Sequence, residues 1–167
     1  MAEIRRAGRG DWEQYREIRL AALADAPYAF GSTLDRELAL PPERWRQRLE
    51  SGGTFLAWED GRPVGTATGV LDDPDDEYHV PGAWQLVAMW VHPDRRGSGV
   101  AADLVDAVAA HVLQAGSTVL VLWVTEVNDR ARVFYEQLGF GYTGARQLVR
   151  EDEPGHFEVQ MRRELAG

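Results

Sequence analysis

The apolar positions change their period several times along the chain, and each change marks an element. Ile4–Ala7 reads as a short first strand. From Asp11 the period is helical: Trp12, Tyr15, Ile18, Arg19, Ala22 and Leu23 recur at spacings of three and four, with Asp11 as N-cap and Pro27 as the stop. Tyr28–Leu40 has no period and is expected to be irregular. Pro41-Pro42 opens a second helix to about Glu50, ended by Ser51-Gly52-Gly53. Thr54–Trp58 and Pro63–Leu71 read as two strands turning at Glu59-Asp60-Gly61-Arg62. Asp72–Glu77 is an acidic loop, and Trp84–Val91 is a strongly apolar strand. Gly97–Ala115 carries the clearest helical stripe, with Gly116 as its C′ residue. Thr118–Val124 is a second buried strand, and Asn128–Leu138 a helix with Ala131, Phe134, Tyr135 and Leu138 on one side. Phe140–Val149 and His156–Arg162 are the last strands, around the turn Glu151–Gly155.

The order is therefore β-α-α-β-β-β-α-β-α-β-β. A strand-helix-strand unit returns the chain in the same direction, so the strands flanking Gly97–Ala115 should be parallel. The hairpins on either side should be antiparallel. The prediction is one α/β domain over residues 1–167, a mixed sheet with helices on both faces.

Composition narrows the chemistry. The chain is 44% hydrophobic and 27% charged, with a net charge of −9, which suits a soluble domain with a sizeable core. All 18 basic residues are Arg, and there is no Cys. Schiff-base enzymes and P-loop nucleotide binders of the usual pattern need Lys. Disulfides, thiolate nucleophiles and Cys-based zinc sites need Cys. The acidic balance argues against nucleic acid as a partner. MAEIRRAGRG lacks the apolar core of a signal peptide, and the longest apolar runs, Leu86–Val91 and Val119–Val124, fall well short of the about 20 residues of a membrane span. A cytoplasmic protein without a membrane partner is expected. His79, His92, His111 and His156 lack ligand spacing, so no metal is expected either.

Two stretches carry candidate chemistry. In Val91-His92-Pro93-Asp94-Arg95-Arg96-Gly97-Ser98-Gly99-Val100-Ala101, an apolar strand runs into a glycine-containing turn that opens a long helix. The first amides of such a helix are unpaired and the dipole end is positive, a ready seat for phosphate or pyrophosphate. Arg95 and Arg96 add mobile positive charge. Gly97-x-Gly99-x-x-Ala102 also fits a relaxed dinucleotide fingerprint, but too little chain follows it for the further strand-helix units of that fold. The second stretch is Asn128-x-x-Ala131-x-x-Phe134-Tyr135-x-x-x-Gly139-Phe140, where Asn128 can cap the helix and Tyr135 can be a core aromatic with a wet hydroxyl.

Taken together, the two stretches resemble the GNAT superfamily of N-acetyltransferases. Its acyl-CoA signature, Gln/Arg-x-x-Gly-x-Gly/Ala, is matched by Arg96-x-x-Gly99-x-Ala101, and its later Asn-to-Gly-Phe element by Asn128–Phe140. The resemblance covers Trp84–Tyr142, about a third of the chain. It implies two central parallel strands that splay apart around acetyl-CoA. The backbone of Met89, Trp90 and Val91 would hold the pantetheine arm, and the amides of Arg96, Gly97, Ser98, Gly99, Val100 and Ala101 the pyrophosphate, with Asn128 and Tyr135 beside them. It also divides the chain into an acceptor-side half (1–83), an acyl-CoA-binding core (84–142) and a C-terminal hairpin (143–167).

The implied reaction is direct transfer of acetyl to a primary amine in a ternary complex. Tyr135 stands where the family places the acid that protonates the departing thiolate. Many relatives carry a Glu near Gln85; here the Gln cannot take a proton but could orient a water, which leaves Glu126 as a second candidate base. Phe30 is a candidate wall and Glu37 a candidate ammonium anchor of the acceptor pocket. The expected acceptor is a small-molecule amine, with a protein N-terminus as the alternative and a non-catalytic acyl-CoA-binding regulator as the reading from another class. A homodimer is compatible with the sequence, which does not fix the oligomeric state.

Overall fold

A computed structural model describes residues 2–166, and in it the two periods of the sequence become one seven-stranded mixed sheet with helices on both faces. In chain order the elements are β1 (Glu3–Arg6), α1 (Trp12–Asp25), α2 (Leu34–Leu38), α3 (Pro42–Arg48), β2 (Thr54–Glu59), β3 (Arg62–Leu71) and β4 (Trp84–Val91). There follow α4 (Val100–Gln114), β5 (Val119–Thr125), α5 (Asp129–Gln137), β6 (Gly141–Leu148) and β7 (Phe157–Glu164). The strand order is β1-β2-β3-β4-β5-β7-β6, antiparallel except for β4 and β5.

Strand alternation sorts the core into two layers. On β2, Phe55 and Ala57 pack with Leu104, Val105 and Val108 of α4, while Leu56 between them packs with Ile18 of α1 and Trp45 of α3. The hairpin at Asp60-Gly61 has positive φ at both residues (52° and 76°), the primed turn that matches strand twist.

Two irregularities of β4 position the site. Its parallel ladder with β5 covers only Trp84–Leu86 against Leu120–Leu122. Beyond it β4 stays on β3 as far as Val91, and β5 on β7 as far as Thr125, so the two strands part. Second, Thr66 pairs with Trp90 and Thr68 with Val87, which sets Ala88 and Met89 against Ala67 alone. This is a β-bulge, with Ala88 at φ 54°.

The structure corrects the sequence reading in places. The stretch Tyr28–Leu40 holds the short helix α2, capped by Thr33 Oγ1, which accepts from the Arg36 N–H at 3.3 Å. Five residues are too few for a visible period. Helix α4 begins at Val100, not Gly97, because Gly97 and Gly99 hold positive φ. Asp11 stands at the N-cap of α1, yet its carboxylate accepts from the Gly8 N–H instead. Among the described residues no helix is long and apolar enough to cross a membrane.

Candidate active site

Where β4 and β5 part, a cavity of about 670 Å³ opens. Met89, Trp90 and Val91 form one wall, Asn128 and Tyr135 the other, and Gly97, Gly99 and Ala101 one end. The first ladder bond of α4 runs from the Asp103 N–H to the Gly99 carbonyl at 3.1 Å, so the amides of Val100, Ala101 and Ala102 have no helical acceptor. A Cβ at Gly97 or Gly99 would meet nothing within 4 Å, and their φ of +82° and +92° is one that only glycine adopts without strain. An anionic group could therefore lie directly on this backbone.

The arginines expected to be mobile are tied down. Arg96 donates from Nε to the Val91 carbonyl (3.1 Å) and from Nη2 to Asp25 (2.7 Å), which also accepts from the Trp90 indole (3.0 Å). Hydrogen bonds from Trp90 and Arg96 hold the Asp25 carboxyl below the usual range. Arg95 pairs with Glu59. Arg96 thus braces the exit of β4 while lining the cavity. Ser98 donates its hydroxyl to the Arg95 carbonyl, and the Val100 side chain turns into the core, so neither side chain lines the cavity. Asn128 caps α5, its Oδ1 accepting from the Ala131 N–H at 3.1 Å. Tyr135 is 8% exposed, edge-on to Phe134 and Phe140, and burial pushes its phenol well above the ordinary value. It is a protonated hydroxyl at any physiological pH.

A second cavity of about 500 Å³ lies over the sheet beneath α1–α3. Gln85, Phe30 and Glu37 line it, together with Ala88 of the bulge. Ala29 and Phe30 wall both cavities, which therefore adjoin beside the bulge. Gln85 donates to the buried Asp72 (3.3 Å), which also accepts from the Val80 N–H (2.7 Å) and faces His79 Nδ1 at 3.0 Å. Glu37 is 1% exposed, and its oxygens are taken by Arg19 (3.0 and 3.0 Å) and Arg48 (2.6 Å). Burial raises its pKa, but the two guanidiniums outweigh burial and hold it below the carboxylate range. Glu37 is placed as their counter-ion, Oε1 accepting from both arginines and Oε2 from Arg19, so an ammonium would compete with two guanidiniums for it.

Glu126 lines neither cavity. Both its oxygens accept from Arg146 at 2.9 Å, which lowers its pKa. The carboxylate that does face the second cavity is Glu158 on β7, with Asp76 of the acidic loop nearby. Burial, reinforced by the charge of Asp76, raises the Glu158 carboxyl, against the hydrogen bond that Gln147 donates at 2.9 Å. Sequence reasoning missed Glu158. Its signal was a polar residue at a same-face spacing of two from Gln160, in a strand whose other face carries Val159 and Met161. It also missed Arg150, whose Nη1 donates to the Phe30 carbonyl (2.7 Å) from 120 residues away.

Comparison with known proteins gives the same architecture. The sequence model of the Acetyltransferase (GNAT) family matches residues 12–140. A mycothiol acetyltransferase of Thermomonospora curvata is 34% identical over 120 residues, covering 71% of this chain and 37% of that protein. One from Geodermatophilus obscurus is 31% identical over 92 residues, covering 55% and 30%. The chain thus spans about a third of the length of these relatives. Among solved structures, yncA of Salmonella typhimurium, determined with its cofactor acetyl-CoA, superposes with a TM-score of 0.80 at 18% identity, over 100% of this chain and 95% of that one. The ribosomal-protein-alanine N-acetyltransferase of Brucella melitensis superposes at 0.79 and 20% identity, over 98% and 99%. At these identities the structures speak for the fold alone.

Proposed function

Because this chain belongs to the acetyltransferase (GNAT) family, we propose that it is an acetyl-CoA-dependent N-acetyltransferase acting on a small primary amine by direct transfer in a ternary complex. The observation that carries this reading is the meeting of two cavities at the Ala88–Met89 bulge, one ending in the free amides of α4 and the other facing Glu158. Acetyl-CoA supplies a thioester carbonyl and a thiol leaving group. The amides of Val100–Ala102 would receive its pyrophosphate, and the edge of Met89–Val91 that β5 leaves, where Arg96 already holds the Val91 carbonyl, its pantetheine arm.

An amine of Lys type has a pKa of about 10.4, so it must lose a proton before it attacks. Glu158, a carboxylate raised by burial and facing the acceptor cavity, supports the role of base, directly or through a water that Gln85 orients. As the C–N bond forms and the C–S bond breaks, Tyr135 supplies a proton to the sulfur, whose pKa is near the thiol value of about 8.5. The ammonium loses one proton before attack and the nitrogen a second as the amide forms, both passing through Glu158 to solvent, and Tyr135 recovers its own proton from solvent.

The test is thiol release from acetyl-CoA in the presence of an amine panel. Acceptor-dependent release is expected, and tight cofactor binding with no release across the panel would overturn the reading. Tyr135→Phe should lower kcat by about 10²-fold or more with little change in acetyl-CoA affinity. Unchanged kcat would remove Tyr135 from the chemistry.

A further inference from the structure

The acceptor cavity has two chemically different ends. Its lining crosses the sheet from Thr54 on β2 to Glu158 on β7, strands set about 4.8 Å apart in the sheet. The acidic end holds Glu158 and Asp76. The opposite end lies under α1 and α3, where Arg19 and Arg48 share one counter-ion, Glu37, leaving a net charge of +1. Arg19 commits Nε and Nη2 to Glu37, while its buried Nη1 has no hydrogen-bond partner. Its guanidinium is stacked over the Phe30 ring at 5.0 Å, and Arg48 over Trp45 at 4.9 Å, so both forks are held in place.

A buried donor without an acceptor is costly, and an excess positive charge in a cavity wall more so. Water could meet the first need; an anion meets it and balances the charge as well. The acceptor's amine must reach the Ala88–Met89 edge for acetyl transfer, so an anion seated on the arginines has to belong to the same molecule. We propose that this end of the cavity is a carboxylate subsite, formed by Arg19 Nη1 with Arg48, and that the acceptor is an amine bearing a carboxylate, of the amino-acid class. This deepens the acetyltransferase reading and rests on it for the identity of the amine end only. A plain monoamine would leave Arg19 Nη1 unpartnered.

The experiment compares matched ligands: an amino acid, its primary amide and its decarboxylated amine. Both turnover and calorimetric binding to the CoA-loaded protein are measured, over a panel of side chains. For the preferred side chain the amino acid should be favoured over its amide by about tenfold or more in kcat/KM and in Kd, the scale of a charge-assisted fork. Arg48→Gln should narrow that ratio. The ratio is read within one protein sample, so a poorly folded fraction lowers both members and leaves it unmoved. Amides or decarboxylated amines that bind and react as well as the amino acids would overturn the subsite, as would binding by no carboxylate-bearing amine. Amino acids that bind tighter than their amides but are never acetylated would uphold the subsite and overturn the acetyltransferase reading instead.

Discussion

Glu37 and Glu158 face one cavity with opposite electrostatics, and the contrast decides what each can do. Glu37 is held ionised by two arginines, so its removal strands buried positive charge. Glu37→Gln should cost about 3–5 kcal/mol, the penalty for breaking a buried pair on one side, and urea titration would show it as a lower midpoint with an unchanged slope. Glu158 has its carboxyl raised by burial. A carboxyl raised in the fold binds more protons there than in the unfolded chain, where Glu titrates near about 4.3. Its contribution to stability is therefore present below that value and is lost as pH rises through the folded pKa. Catalysis as a base runs the other way and needs the ionised form. Glu158→Gln should thus raise Tm at pH 7 by a few degrees, lower kcat, and remove the acid limb of the kcat/KM profile that sits above the ordinary glutamate range. A Tm and pH profile both equal to wild type would take Glu158 out of the site.

The β4 bulge shows at the scale of an element what a sequence conceals. In a regular strand Leu86 and Trp90 would share a face, yet Leu86 packs in the α4 layer with Val91 while Trp90 packs in the α1 layer. The extra residue at Ala88–Met89 inverts the alternation. Because Leu86–Val91 is apolar throughout, parity carried no signal there, and the bulge was illegible. Strands with mixed pattern, the helical stripes and the glycine turn before α4 were legible, and so were the cavity residues Met89–Val91, Gly97, Gly99 and Ala101. What was not legible is tertiary pairing: Glu126 taken by Arg146 and Glu37 by Arg19 and Arg48. At φ 54° an alanine carries about 1 kcal/mol of strain that glycine would relieve. Ala88→Gly should be neutral to stabilising, whereas Ala88→Val, β-branched and ill-suited to this conformation, should lower stability by about 1–3 kcal/mol and weaken binding in both cavities. Thermal melts with substrate titrations check both variants. Wild-type behaviour of Ala88→Val would mean the bulge is not needed.

At the scale of the whole molecule, the two cavities are joined by a roof that belongs to neither half of the sheet. The segment after α1 supplies Ala29 and Phe30 to both cavities, and Arg150 in the β6–β7 connection holds it. One guanidinium nitrogen donates to the carbonyls of Phe30 (2.7 Å), Pro27 (3.3 Å) and Ser32 (3.4 Å), and Nη2 pairs with Glu153. Tyr28 stacks on His156 at 5.1 Å beside it. Arg150 is only 9% exposed, so the carbonyls it serves lose a buried donor when it is removed. Arg150→Ala should therefore cost about 2–3 kcal/mol, and its kinetic mark should be a rise in KM for acetyl-CoA and for the acceptor together, because one roof shapes both walls. A residue that merely stabilised the hairpin would lower Tm and leave both KM values in place. Arg150→Lys keeps a charge and three donors on a flexible stem, and should recover part of both KM values. Limited proteolysis supplies an independent reading: cleavage within residues 27–32 should accelerate in Arg150→Ala and slow again when acetyl-CoA is present, since a ligand bound only to the closed roof draws the population back to it.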